Sequence, residues 1–179
     1  MPGAVSPAGE YSLGAFASDL YNFDQVAGTF SADLWLWSNY FGEETDFNSS
    51  LDFTNAISVQ SDEIRKPACR HQELELYAAE SQRNIQIRMG FAAFPVRHRN
   101  SLFISIEDFR NTNAIRFILD YVNSKILEVV RLDEWKLSPL SMTESTVTYN
   151  TNFGDEDLDG SRDSYSRVCI KIIAERNRP

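Results

Sequence analysis

Acidic residues at alternate positions of the segment 155–163 form the clearest chemical pattern in this sequence. The segment reads D-E-D-L-D-G-S-R-D. Hard cations need several oxygen ligands around one point, and this spacing with a turning glycine matches the opening of a calcium-binding loop. The predicted calcium ligands are Asp155, Asp157, Asp159 and Asp163. The twelfth position is Ser166 instead of a bidentate glutamate, and no helix–loop–helix pattern surrounds the segment, so an EF-hand is excluded. The alternative is a solvated acidic hairpin tip that attracts cations diffusely.

Sequence motifs for catalysis are missing. The chain has no G-x-S-x-G nucleophile turn, no H-E-x-x-H zinc motif and no glycine-rich phosphate loop. Glu107 and Asp108 are adjacent on a predicted strand, where neighbouring side chains point to opposite faces, so they make a poor catalytic pair. We therefore expect that the protein is not an enzyme.

The cysteines and histidines show no metal-binding spacing. Cys69 and Cys169 are far apart, and neither His71 nor His98 has a second ligand nearby in the sequence. A secreted domain could pair the two cysteines. We favour two free thiols, with Cys169 inside the core of a strand.

The net charge of −9 restricts the partners of the chain, since 26 Asp and Glu residues outnumber 17 Lys and Arg. Nucleic acid and anionic lipid both require a concentrated basic surface, so neither is an expected partner. A negative surface instead raises the local concentration of cationic ligands, unless it serves only solubility.

The 179 residues fit a single domain, 1–179. No apolar run reaches the roughly 18 residues of a membrane-spanning helix.

The segment 28–37, G-T-F-S-A-D-L-W-L-W, has the alternation of a strand with one buried face. Phe30, Ala32, Leu34 and Leu36 form that face. Strand-like runs with turn-forming residues between them cover 11–21, 29–40, 50–60, 73–79, 84–92, 101–107, 114–118, 134–139, 144–151 and 164–175. This spacing predicts an all-β antiparallel sandwich. Only residues 119–132 have apolar positions near helical spacing, and a long surface connection fits them equally well.

Several segments together resemble one protein family. The 28–37 strand is similar to the second strand of the extracellular ligand-binding domain of prokaryotic pentameric ligand-gated ion channels, which are relatives of the Cys-loop receptors. Residues 94–108 resemble the family's F-P-F-D-x-[HQ]-x-L-x-I-x-I-E-D segment, and Trp135 matches the tryptophan that opens the next strand. Residues 149–172 resemble the hairpin that carries the ligand-capping loop C, and Arg176 matches the arginine before the first membrane helix.

The chain also departs from the family pattern. The F-P-F-D motif reads Phe94-Pro95-Val96-Arg97, without the acidic residue that forms a salt bridge at the membrane interface. Residues 50–75 contain no tryptophan, although many members place an aromatic ligand contact there. The cysteines that close the loop in animal receptors are absent, as in bacterial members.

The resemblance implies an immunoglobulin-like antiparallel β-sandwich of about ten strands. In the family, five subunits form a homopentamer, and a small-molecule or ionic ligand binds between neighbouring subunits beneath loop C. Aromatic side chains suit a cationic ligand because the ring face attracts positive charge. The ligand-binding residues implied are Phe109, Tyr149, Phe153 and Tyr165, with Arg88 on the complementary side. The alternative is that Tyr149 and Phe153 are core or corner residues of the sandwich.

The resemblance also implies residues that couple ligand binding to a membrane pore. These are Asp24, Gln25, Phe94, Pro95 and Arg176. The chain would then be the ligand-sensing domain of a channel on the periplasmic or extracellular face of a bacterial membrane. Its transmembrane domain is absent from residues 1–179, and calcium is a candidate modulator. The alternative is a stand-alone soluble periplasmic ligand-binding protein with the same fold.

Overall fold

The computed structural model describes residues 9–41, 51–65, 69–70, 77–90, 99–111, 115–151 and 163–177. Twelve strands and no helix occur in these segments, so the chain is all-β. The part of the chain described here contains no helix long and apolar enough to cross a membrane.

One sheet has seven strands, in the order β4-β6-β2-β1-β8, with β5 beside β6 and β9 beside β1. Its strands are β1 (Gly9–Asp24), β2 (Thr29–Phe41), β4 (Ala56–Arg65), β5 (Cys69–Arg70), β6 (Tyr77–Gly90), β8 (Ile115–Leu119) and β9 (Lys125–Ile126). Strands β8 and β9 both run parallel to β1. The sheet is therefore mixed, and the prediction of a wholly antiparallel sandwich was wrong here.

The other sheet has five strands, in the order β10-β12-β7-β3, with β11 also pairing with β12. Its strands are β3 (Leu51–Phe53), β7 (Arg99–Asn111), β10 (Trp135–Leu137), β11 (Ser141–Tyr149) and β12 (Asp163–Arg176). The short β10 pairs with the last residues of β12, whereas β11 pairs with the first nine. Strand β12 thus runs the length of the sheet.

Alternating side chains from both sheets form one hydrophobic core. The predicted inward face of β2 is confirmed, since Phe30, Ala32, Leu34 and Leu36 are all buried. The alternation continues on β12, where Val168 is buried. Burial of each large apolar side chain contributes about 1.5–3 kcal/mol, and this term holds the two sheets together.

The helical spacing in residues 119–132 does not produce a helix. The segment contains turns and the two-residue β9, so the surface connection is the interpretation that agrees with the structure. Val122 is 91% exposed and Val129 is 73% exposed, so these apolar residues do not form a buried helical face. The backbone N–H of Asp120 donates to the Leu13 carbonyl (2.9 Å), and that of Leu127 donates to the Ala17 carbonyl (2.8 Å). The segment is thereby fixed along β1.

Two predicted strand boundaries also differ from the structure. The runs 73–79 and 84–92 were predicted as separate strands, whereas Tyr77–Gly90 is continuous. The run 50–60 divides into β3 and β4 at a turn, where the Asn55 side chain takes over strand-like hydrogen bonds. Its amide donates to the Phe103 carbonyl (2.9 Å), and its oxygen accepts from the Ser105 N–H (2.8 Å).

Candidate functional site

Three strands meet at the loop end of the β11–β12 hairpin. Strand β12 lies between β11 and β7, and Arg167 on β12 is directly opposite Glu107 on β7. Val147 faces Tyr165 across the hairpin, and the register against β7 shifts between Tyr165 and Arg167. Such an irregularity bends a strand and redirects its side chains. Polar and aromatic groups from all three strands consequently converge here.

A closed triad of hydrogen bonds joins Glu107, Tyr149 and Arg167. The Tyr149 hydroxyl lies 3.0 Å from both carboxylate oxygens of Glu107, to which it donates. Arg167 donates from Nε to Glu107 Oε1 and from Nη2 to the Tyr149 hydroxyl oxygen (2.9 Å). Nη2 also forms an ion pair with Oε1. Glu107 is only 6% exposed, and a buried carboxylate requires such partners because burial disfavours its charge.

The triad shifts the proton equilibria of two of its members. Burial raises the pKa of the Tyr149 hydroxyl above its usual value. The hydrogen bond with Glu107 and the negative charge of Glu107 raise this pKa further, whereas Arg167 acts in the opposite direction. Burial alone would lower the pKa of Arg167, but the hydrogen bond and charge of Glu107 outweigh it, and the pKa rises. Tyr149 is therefore a neutral hydrogen-bond donor at neutral pH, and Arg167 is a cation.

The predicted ligand-binding residues Tyr149 and Tyr165 are neighbours in the structure. Their ring centroids are 5.9 Å apart and their planes are inclined by 56°. Tyr165 is buried, whereas Tyr149 is half-buried. Tyr165 therefore packs against the Tyr149 ring and presents little of its own surface. Only the backbone of Phe109, on β7, is described, and Phe153 lies outside the described residues.

A cavity of about 270 Å³ adjoins the triad. This hairpin pocket is lined by Arg116, Phe117, Glu144, Ser145, Thr146, Ser166 and Arg167. Arg167 thus belongs both to the triad and to the pocket wall. The Ser166 hydroxyl donates to the Ile115 carbonyl (3.1 Å), which joins β12 to β8 of the other sheet. With both charge signs and several hydroxyls in its wall, the pocket can hold a small polar molecule.

The predicted coupling residues Asp24 and Gln25 lie at the β1–β2 turn. Asp24 Oδ1 accepts hydrogen bonds from the backbone N–H groups of Val26 (2.8 Å) and Ala27 (2.9 Å). Gly28 closes the turn at a φ of 64°, a conformation that favours glycine. Val26 is 97% exposed at the tip of the turn. The Asp24 carboxylate therefore holds the shape of a turn that projects an apolar side chain.

A second, larger cavity of about 620 Å³ lies beside this turn. This terminal pocket is lined by Asn22, Phe23, Asp24, Gln25, Thr29, Arg88 and Trp135. Arg88 was predicted to contact the ligand from the complementary side. In the structure of the single chain, Arg88 lines the same pocket as Asp24 and Gln25. Arg176 is opposite Trp135 in the β10–β12 pair and forms an exposed ion pair with Glu134 (2.7 Å). The structure thus brings Arg88 and three predicted coupling residues to one end of the sandwich.

Several of the predicted calcium and coupling residues lie outside the described segments. The calcium ligands Asp155, Asp157 and Asp159 lie outside the described residues, and Asp163 is described only as the first backbone position of β12. The coupling residues Phe94 and Pro95 also lie outside them. Within the described segments, no three His, Cys, Asp or Glu side chains are grouped as a metal site.

Cys169 lies in β12, as expected, but not in its core. Its thiol is free and half-buried, between the buried residues Val168 and Ile170. Burial raises the pKa of this thiol, although Lys171 and Arg167 act in the opposite direction. A raised pKa favours the neutral and unreactive form.

Sequence reasoning did not select Glu107 or Arg167 as site residues. Glu107 was judged only as half of an adjacent acidic pair, and Arg167 carried no motif of its own. Their pairing depends on the register of β7 against β12, strands separated by about 60 positions along the chain. One signal was available: each charge stands directly beside an aliphatic residue of a predicted strand, Ile106 and Val168 respectively.

No protein-family model matches this chain, and no curated protein matches it.

Proposed function

We propose that this chain is the ligand-sensing extracellular domain of a bacterial pentameric ligand-gated ion channel, with an immunoglobulin-like sandwich fold. The observation that carries the proposal is the triad of Glu107, Tyr149 and Arg167 at the loop end of the β11–β12 hairpin. A buried charged cluster at the end of a hairpin is sensitive to any ligand that changes its hydrogen bonds. The order of the sequence motifs supports the same assignment, because the hairpin occupies the position of loop C in the resemblance.

The ligand would bind at the hairpin pocket, between this subunit and its neighbour in a homopentamer. Arg116 and Glu144 in the pocket wall supply charges of both signs. Tyr149, in the adjoining triad, offers a half-buried ring. Phe109 and Phe153 complete the contacts that the resemblance implies on this subunit, whereas Arg88 lines the terminal pocket at the opposite end of the sandwich and is not part of this site. Tyr165 acts through Tyr149, whose ring it supports.

Strand β12 would carry the signal from the ligand to the pore. Arg167 stands near its start, and Arg176, the predicted coupling residue, is its last residue. The two are separated by about 30 Å of extended chain, at about 3.3 Å per residue. A strand that pairs with β7 along most of its length moves as one element. A ligand that favours one position of β12 would therefore bias the contacts at Asp24, Gln25 and Arg176.

The first experiment reads the native gene beyond the codon for Pro179. Four apolar segments of about 20 residues would support a channel subunit, and currents from the whole protein would then be recorded with and without ligand. A stop codon would contradict the channel and favour the soluble periplasmic binding protein.

Ligand binding is tested on this chain itself. Thermal unfolding is followed with a panel of primary amines, carboxylates and amino acids, because a ligand that binds only the folded state raises Tm. We expect at least one compound to raise the Tm of the parent but not that of Arg116→Gln. Lys125→Gln, at an exposed position on the distant β9, is the matched control and should respond as the parent does. If no compound stabilises the chain, or if Arg116→Gln changes nothing, the hairpin pocket is not the ligand site.

A further inference from the structure

Two opposite charges line the terminal pocket without forming an ion pair. Asp24 ends β1 and Arg88 lies on β6, and both border the same cavity of about 620 Å³. Within the described part of the chain, neither residue forms an ion pair with any other side chain, whereas Arg99, Arg167 and Arg176 each have an acidic partner. The backbone of Arg88 is paired within the sheet, but its guanidinium forms no hydrogen bond with a described residue. The pocket wall therefore carries one available positive and one available negative group.

The Asp24 carboxylate is held in a fixed orientation. Its Oδ1 accepts the N–H groups of Val26 and Ala27, and its Oδ2 has no hydrogen-bond partner among the residues that the structure describes. Held in this way, the carboxylate loses little further freedom when a cation binds to it. Such preorganisation favours binding because less entropy is lost.

An aromatic wall stands beside the two charges. The rings of Phe23 and Trp135 meet edge to face, with centroids 5.1 Å apart and planes at 76°. Trp135 is only 8% exposed, so its ring is fixed by the surrounding core. Its backbone N–H donates to the Leu132 carbonyl (2.9 Å), which secures the position of the residue. The wall can contact an apolar or aromatic body of a bound molecule.

We propose that the terminal pocket is a binding site for a small zwitterion with an aromatic or apolar body. The ligand's cationic group would face Asp24, its carboxylate would face Arg88, and its body would lie against Phe23 and Trp135. The cavity falls within the range of about 300–1,000 Å³ that is usual for small-molecule sites. The pocket lies at the opposite end of β12 from the hairpin pocket, so this site does not depend on the proposed function.

The test uses three probes that share one ring and differ in charge. They are L-phenylalanine, 3-phenylpropanoate and 2-phenylethylammonium, and their binding is measured by calorimetry and by tryptophan fluorescence. The variants are Asp24→Asn, whose side chain keeps an oxygen for the turn, and Arg88→Gln, whose parent side chain is exposed. Lys125→Gln, on the distant β9, is the matched control. Unchanged Tm in each variant establishes that it is folded.

We expect L-phenylalanine to bind most tightly and to lose about tenfold or more in affinity in either variant, as loss of a charged hydrogen bond predicts. Binding of 3-phenylpropanoate should fall only in Arg88→Gln, and that of 2-phenylethylammonium only in Asp24→Asn. Lys125→Gln should bind as the parent does. No saturable binding at about 10 mM, a level that detects millimolar affinity, would overturn the proposal. A loss in Arg116→Gln with none in Arg88→Gln would also overturn it, because the probe would then occupy the hairpin pocket.

Discussion

Arg167 and Glu107 lie opposite each other on β12 and β7, and their ion pair is completed by the hydroxyl of Tyr149. Glu107 is almost wholly buried, whereas about a third of the Arg167 side chain reaches solvent. The carboxylate consequently depends on its two partners more than they depend on it. Loss of the Arg167 cation should therefore destabilise the domain more than neutralisation of Glu107.

Arg167→Met should destabilise the domain by about 2–3 kcal/mol, because it leaves a buried carboxylate without its cation. Glu107→Gln should cost less, since the amide retains an acceptor for Tyr149. The double variant should be more stable than the sum of the single losses predicts, by about 1 kcal/mol or more. Urea unfolding of all four proteins gives the coupling energy, and strictly additive losses would contradict the ion pair.

Tyr149 should make the stability of the domain fall at alkaline pH. Its pKa is raised in the folded state, so its stabilising contribution is complete below the unfolded value, about 10, and is lost as the pH rises through the folded value. The free energy of unfolding should therefore fall more steeply above pH 10 in the parent than in Tyr149→Phe. Tyr21, whose pKa is raised by burial and by Asp33, serves as the comparison through Tyr21→Phe. Identical alkaline curves for parent and Tyr149→Phe would contradict the triad.

Gly14 leaves room for the indole ring of Trp37 on the neighbouring strand. A Cβ at position 14 would lie 2.2 Å from Trp37 Cε2, which is far inside van der Waals contact. Gly14→Ala should therefore displace the ring and destabilise the domain by about 1–3 kcal/mol, as overpacking does. Ala15→Gly, at a neighbouring buried position, is a control in which no contact is added. Equal unfolding midpoints for Gly14→Ala and the parent would show that the ring is not fixed.

Asp120 should make the domain sensitive to acid. The Asn123 side chain, the Trp37 indole N–H and the backbone N–H groups of Asn123 and Val122 hydrogen-bond its carboxylate, and together they outweigh burial and lower its pKa. A lowered pKa stabilises the fold above the unfolded value, about 4, and this contribution is lost as the pH falls through the folded value. Asp120→Asn should flatten the acid limb of the stability curve. The near-ultraviolet signal of Trp37 should change over the same pH interval.

Local patterns predicted the strands better than they predicted their pairing. The alternation in β2 follows from one buried face, so the sequence alone identifies its inward residues. The parallel pairing of β8 with β1 joins residues more than 100 positions apart, and no local signal specifies it. The pairing of Glu107 with Arg167 is also long-range, and no local signal specifies it. Apolar residues of the 119–132 segment suggested a helix because periodicity does not reveal that Val122 and Val129 face solvent.

Calcium should bind the acidic segment 155–163 if the alternate carboxylates act as ligands. Dissociation constants of about 10⁻⁴–10⁻³ M are typical of extracellular calcium sites, so millimolar calcium should raise Tm and release or absorb heat on titration. Asp157→Asn with Asp159→Asn should abolish both effects. Asp133→Asn and Glu128→Gln together form the matched control, because they remove equal charge from an exposed surface elsewhere. Equal loss in the control pair would indicate diffuse attraction by the net charge of −9 instead of a site.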